Sequence, residues 1–186
     1  MNKEFWEEKY ANQSTGWDLG EVSPPLKAYF DQLTNKDISL LIPGCGFGHE
    51  AIYLHQQGFT NITVIDLVGD ALQYMKENAP SVQCIEGDVF DLNATFDIII
   101  EQTLFCAINP SLREKYVMKM SQLLSNKGKY VGLLFNREFD GGPPFGGNIN
   151  EYAVYFSSNF SEFTMETCYN SASPRLGNEV FFIAKK

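Results

Sequence analysis

Basic residues are scarce in this sequence: 14 Lys and Arg stand against 23 Asp and Glu, a formal charge of −9. No basic stripe interrupts the acidity, which disfavours DNA, RNA and anionic lipid surfaces as partners. Histidine is scarcer still, with only His49 and His55, and the four cysteines (45, 84, 106 and 168) form no C-x-x-C pair. That spacing supplies neither a zinc site nor a disulfide framework, so reduced thiols and no metal are expected. No apolar run nears membrane-spanning length, and the opening Met-Asn-Lys-Glu-Phe-Trp-Glu-Glu has no apolar signal core. The expectation is a cytoplasmic protein. No repeat, low-complexity tract or linker divides the 186 residues. One domain with a radius of gyration of about 16 Å follows.

What is present centres on Ile38 to Glu50. An apolar run (Ile38, Leu40, Leu41, Ile42) stops at Pro43, glycines follow at 44, 46 and 48, and Ala51, Ile52 and Leu54 repeat with helical spacing. This reads as a buried strand, a glycine turn and a helix N-terminus. Glycine lets backbone approach a ligand closely, and the helix adds free N–H groups and a positive dipole end. Dinucleotide folds space their glycines as G-x-G-x-x-G to seat a pyrophosphate. Here the third glycine comes one residue early, and no Lys or Arg stands near to meet a phosphate. A second apolar run, Ile62 to Ile65, ends on Asp66, roughly twenty residues after the first glycine, where a carboxylate can accept both hydroxyls of a ribose. A ribose without a phosphate points to S-adenosylmethionine (SAM).

The rest of the chain supplies the walls. Residues 2–11 read as an acidic helix whose Trp6 and Tyr10 share a face, and Trp17 follows a polar turn. These aromatics are either a helix packed on a sheet edge or a flap covering a bound ligand. Helices are expected at Pro25–Leu33, Val68–Asn78, Ser111–Leu124 and Asn150–Ser158. Strands are expected at Val82–Ile85, Phe96–Ile100 and Lys129–Phe135, with a closing antiparallel hairpin from Phe163–Tyr169 and Val180–Ala184. After the third strand, Asp88 is placed either to turn the chain or to meet the adenine amino group, with Val89 or Phe90 against the ring. Gln102 and Phe105, just past the fourth strand, fall by topology beside the cofactor. The loop Gly-Gly-Pro-Pro-Phe (Pro143, Pro144, Phe145) is a candidate wall of the acceptor pocket.

Taken together, these motifs resemble the thiopurine methyltransferase superfamily, nearest its plant thiol, thiocyanate and halide methyltransferases and their bacterial relatives. The resemblance rests on Trp6, Tyr10, Gly-Trp-Asp-x-Gly at 16–20, Pro-Gly-Cys-Gly-Phe-Gly-His-Glu, Asp66, Glu-Gly-Asp-Val-Phe, Gln-Thr-Leu-Phe-Cys-Ala-Ile-Asn-Pro and Gly-Gly-Pro-Pro-Phe, in that order. It implies an α/β, Rossmann-like class I methyltransferase: a seven-stranded, mostly parallel sheet ordered 3-2-1-4-5-7-6, strand 7 antiparallel, flanked by helices. By position it implies SAM against Trp6, Tyr10, Trp17, Gly44, Gly46, Gly48, Asp66, Leu67, Asp88, Val89 and Gln102, with residues 1–25 as an aromatic flap. It puts the acceptor, a thiol, halide, thiocyanate or related Se or Te compound, near Phe105, Phe135 and Pro143–Phe145. Tyr10 stands where that branch commonly has Trp, and Phe135 where the plant enzymes align a tyrosine.

Methyl transfer from a sulfonium is an in-line displacement, and an acceptor that arrives as an anion needs only alignment in a dry pocket. No general base is assigned; Glu138, Asp140 and His49 are the competing candidates, and His55 falls inside a helix. A DNA or protein N-methyltransferase would carry Asn/Asp-Pro-Pro-Tyr/Phe where this chain has Glu-Gln-Thr-Leu-Phe. A nicotinamide oxidoreductase is disfavoured by the glycine spacing. A SAM-binding sensor that does not turn over is the remaining alternative. The expected partner is a small molecule, and the expected state a monomer or weak homodimer.

Overall fold

The structure, a computed structural model, describes residues 3–186. Asn2, the first residue of the expected opening helix, lies outside the described residues. The chain folds as two compact units, one up to Leu92 and one from Asn93 on.

In the first unit the order is α1 (Lys3–Ala11), α2 (Pro24–Phe30), β1 (Leu40–Pro43), α3 (His49–Gln56), β2 (Ile62–Asp66), α4 (Gly69–Asn78) and β3 (Gln83–Glu86). β1 is buried along its whole length and runs parallel to β2, with Leu40 opposite Ile62 and Ile42 opposite Val64. β2 in turn runs parallel to β3. Continuous apolar runs suit such strands because both faces of a parallel sheet are covered. α2 begins with proline in its first turn, as its sequence requires, but stops at Phe30 rather than Leu33. Its end tightens into i−3 bonds, Gln32 N to Tyr29 O and Leu33 N to Phe30 O, which satisfy the last carbonyls at the cost of the α-helical register.

In the second unit come β4 (Phe96–Gln102), α5 (Arg113–Leu123), β5 (Leu124–Phe135), α6 (Ile149–Ser157), β6 (Glu162–Thr167) and β7 (Glu179–Lys185). Ser111 does not cap α5. Asn109 accepts the Ser111 N–H at 3.0 Å and starts a 3-10 turn, Pro110–Leu112, that feeds the helix. β5 begins five residues before Lys129, pairing Leu124 with Phe96 and, after a register shift, Lys129 with Ile98. A bulge carries this shift: a Cβ on Gly128 would sit 3.0 Å from Ser125 backbone. β4 and β5 are parallel, while β7 runs antiparallel to both β5 and β6. β6 ends at Thr167, so Tyr169 is 88% exposed rather than part of the hairpin. The seven strands are ordered β3-β2-β1-β4-β5-β7-β6. Among the described residues, no helix is long and apolar enough to cross a membrane.

Candidate cofactor and acceptor sites

In the first unit the glycine turn is shaped before any ligand is considered. Gly44, Gly46 and Gly48 all take positive φ (58°, 54° and 75°), conformations that L side chains rarely adopt. At Gly48 a side chain is excluded twice over, because a Cβ would fall 2.1 Å from Met75 Cε on α4. Asp66, at the end of β2, pins the turn from the neighbouring strand. Its Oδ2 accepts the Gly46 N–H and its Oδ1 the Val68 N–H, both at 3.0 Å. Burial pushes its carboxyl up, against the N–H donors of Val68, Gly46 and Leu67 that favour the anion. Gly87 N donates to Asp66 O at 2.9 Å, so the stretch leading to Asp88 and Val89 leaves β3 beside Asp66. There Asp88 is exposed and caps a 3-10 turn by accepting the Phe90 N–H at 2.9 Å, while Val89 is buried.

The N-terminal aromatics lie on this turn. Trp6 meets Trp17 edge-on at 5.4 Å, Tyr10 meets Trp17 at 5.6 Å, and Tyr10 meets Phe47 of the turn at 5.5 Å. A Cβ placed on Gly46 would touch the Tyr10 hydroxyl at 3.4 Å. Burial, and next the Asp66 carboxylate, push that hydroxyl's pKa far up. Two consecutive residues of α3 hold the segment that follows. His49 Nε2 lies 2.9 Å from Asp18 Oδ1, and Glu50 Oε1, buried, accepts the Ser23 N–H at 3.0 Å. His49 thus grips the strap through Asp18. His55 packs elsewhere, 3.1 Å from Ser81 Oγ.

In the second unit, Gln102 ends β4 with a buried Oε1 that has no hydrogen-bond partner. Thr103 follows at φ 64°, in the left-handed region. Phe105 is 1% exposed and packs edge-on to Tyr152 at 5.3 Å, with the Arg113 guanidinium 4.8 Å over its ring. The Gly-Pro loop is fixed from below: Arg113 donates to Phe145 O at 3.0 Å and Gly146 O at 2.9 Å and pairs with Glu151 at 2.8 Å. Phe145 N donates to Cys106 O at 2.6 Å. Pro143 and Phe145 are half-buried and Pro144 is exposed. Phe135 lines a small hollow, partly open to solvent, with Thr103, Cys106, Leu133, Leu134 and Glu179. The hollow therefore gathers Phe135 but not Phe105 or the proline pair.

Buried ionic groups that the sequence did not reveal include Glu101, Arg113, Arg175 and Glu179. Glu101 has no exposure and accepts Tyr116 and Tyr130 hydroxyls at 2.7 and 2.9 Å and the Phe105 N–H at 2.8 Å. Burial pushes its carboxyl up despite these donors. The position of Glu101 directly after Ile98-Ile99-Ile100, inside a strand covered on both faces, was the available signal.

A glycine turn after β1, an acid ending β2 and this strand order define the class I methyltransferase fold. The chain belongs to the thiopurine S-methyltransferase family, whose profile matches residues 1–180. It is 28% identical to thiocyanate methyltransferase 1 of Brassica oleracea, over 94% of this chain and 81% of that one. It is 26% identical to a probable thiol methyltransferase 2 of Arabidopsis thaliana with the same coverages, and 26% identical to the thiopurine S-methyltransferase of Vibrio parahaemolyticus over 84% and 82%. Among solved structures, a Burkholderia thailandensis 1,6-didemethyltoxoflavin N1-methyltransferase matches with TM-score 0.75 at 18% identity, covering 99% of this chain and 86% of that one. A TehB-like SAM-dependent methyltransferase from Corynebacterium glutamicum matches at 0.68 and 18%, covering 99% and 98%. At those identities the two structures establish the fold alone.

Proposed function

We propose that this chain transfers a methyl group from SAM to a small soft nucleophile, a thiol, thiocyanate, halide or related Se or Te acceptor, releasing S-adenosylhomocysteine. The carrying observation is the left-handed glycine turn, pinned by Asp66 and overlain by Tyr10 and Trp17, in a member of this family. The turn backbone at Gly44, Gly46 and Gly48 takes the methionine portion, and Asp66 the ribose hydroxyls. Leu67 borders the ribose, Asp88 the adenine amino group and Val89 the ring. Trp6, Tyr10 and Trp17 exclude water, with residues 1–25 acting as the flap of a single catalytic domain over 1–186, and Gln102 completes the cofactor set. On the acceptor side stand Phe105, Phe135 and Pro143–Phe145. Alignment and desolvation of this kind contribute up to about 7–11 kcal/mol to an in-line displacement. The setting is cytoplasmic, the protein monomeric or weakly dimeric, with no nucleic-acid or membrane partner.

The test is S-adenosylhomocysteine release from SAM with thiols, thiocyanate, iodide and oxyanions in turn. Release with at least one acceptor is expected. SAM binding with no release for any of them would instead make the chain a sensor.

A further inference from the structure

Glu101, one residue from the end of β4, divides its two carboxylate oxygens between two parts of the second unit. Oε2 takes the hydroxyls of Tyr116 on α5 and Tyr130 on β5, at 2.7 and 2.9 Å. Oε1 takes the Phe105 N–H at 2.8 Å, and the Leu104 N–H also donates to the carboxylate. A side chain with no exposure thus joins the core of the sheet to the loop that leaves it. That loop needs holding. Thr103 sits at φ 64°, which a β-branched residue adopts only where its surroundings over-determine it. The two N–H groups that Glu101 accepts belong to the next two residues. Beyond them, Ala107 N and Ile108 N both donate to Leu104 O, at 2.9 and 3.1 Å, and Cys106 Sγ donates to Thr103 O at 3.0 Å.

The acceptor side is built on this loop. Phe105 belongs to it and packs edge-on to Tyr152 at 5.3 Å. Cys106 O accepts the Phe145 N–H at 2.6 Å, which ties the Gly-Pro loop to it. Thr103 and Cys106 flank Phe135 around the small hollow. Residues 103–106 therefore carry, bind or flank the acceptor groups assigned above. Resting on the methyltransferase reading, we propose that Glu101 is a positioning residue for the methyl acceptor: through Oε1 it fixes residues 103–106, and with them the wall on which the acceptor is aligned. Fully buried, Glu101 meets no substrate itself and acts through the loop.

The division between the two oxygens separates this role from plain stability. Tyr130→Phe removes a donor from Oε2 and leaves the loop bond on Oε1 in place. Glu101→Gln keeps an oxygen for the loop, whose N–H groups can only donate, while the tyrosine hydroxyls rotate to accept from its amide. Glu101→Met fills the space and accepts from neither. Gln102 is set by the β4–β5 ladder, opposite Leu133, and the other cofactor groups assigned above, Trp6 to Val89, lie in the first unit. SAM affinity is therefore expected to be independent of Glu101.

The experiment compares wild type, Glu101→Gln, Glu101→Met and Tyr130→Phe by urea unfolding, SAM titration calorimetry and steady-state kinetics. The acceptor used is the one wild type turns over best among thiols, thiocyanate, iodide and oxyanions. Glu101→Met should lose about 10²-fold in acceptor kcat/KM, the cost of misplacing reactants by about an ångström, with SAM affinity within about threefold of wild type. Glu101→Gln, with a neutral acceptor for a charged one, should stay within about tenfold of wild type. Tyr130→Phe should unfold at lower urea with kcat/KM unchanged. A folded Glu101→Met with wild-type kcat/KM overturns the proposal, as does Glu101→Gln as slow as Glu101→Met. So does SAM affinity that falls as far as kcat/KM, or a Tyr130→Phe whose activity falls with its stability. If Glu101→Met does not fold, amide exchange in wild type decides: Leu104 and Phe105 should exchange as slowly as β5, and fast exchange there overturns the proposal. Wild type that methylates nothing defeats the methyltransferase reading; wild type that methylates with Glu101→Met unchanged defeats the proposal alone.

Discussion

Under the proposed cofactor assignment Asp66 carries two tasks on one carboxylate, since its oxygens already accept the Gly46 and Val68 N–H groups that shape the turn. Asp66→Ala should weaken SAM binding about ten- to a hundred-fold, the worth of a charge-assisted hydrogen bond at roughly 1.5–3 kcal/mol. Asp66→Asn, which keeps one acceptor for the turn, should recover part of that loss. Titration calorimetry decides, and unchanged affinity in a folded Asp66→Ala protein would remove the ribose assignment. This residue was legible because a strand, a turn and an acid stand in one short stretch. Glu179 was not, because a charged residue far along the chain reads as solvated surface until its burial is seen.

Elements show the same division. Each strand with a continuous apolar run appeared where its composition put it, while ends shifted wherever a local hydrogen bond intervened, as Asn109 does before α5. The buried pairs that lock elements together were illegible, since Glu101 meets Tyr116 and Tyr130 across long sequence separations. Glu101→Ala strands two hydroxyls and the Phe105 N–H at about 1–3 kcal/mol per orphaned donor, so urea unfolding should show a loss of about 3 kcal/mol or more. A loss under about 1 kcal/mol contradicts this account of the core. At α1 and the strap to Gly20, amide exchange should slow when SAM is added, because the aromatics gain a ligand surface to cover. Equal protection with and without SAM favours a purely architectural role for the three rings.

For the whole molecule, pH is the informative variable. Asp66, Glu101 and Glu179 are all held above their ordinary values, 3.8 for the Asp and 4.5 for the Glu residues, chiefly by burial. A carboxyl raised in the folded state binds protons more tightly there, so its contribution to stability is full below the unfolded pKa. It is lost as pH climbs through the folded value. The formal charge of −9 adds self-repulsion over the same range. Tm should therefore be higher in mildly acidic buffer than at neutral pH. A Tm that rises steadily across that interval would show that the exposed pairs, in which Lys27 holds Asp31 low and Lys3 holds Glu86 low, outweigh the buried acids.

The strap across the turn also sets a clock. Tyr10 and Trp17 lie on Gly46, while Asp66 keeps the backbone beneath in its final shape. On the proposed flap reading, the slow event in loading is the lifting of the rings rather than the folding of a loop. In stopped-flow tryptophan fluorescence, the observed rate of SAM association should climb with concentration and level off at the opening rate. Asp18→Ala, by freeing the strap from His49, should raise that plateau. A rate linear in SAM to the highest concentration would mean that the door already stands open.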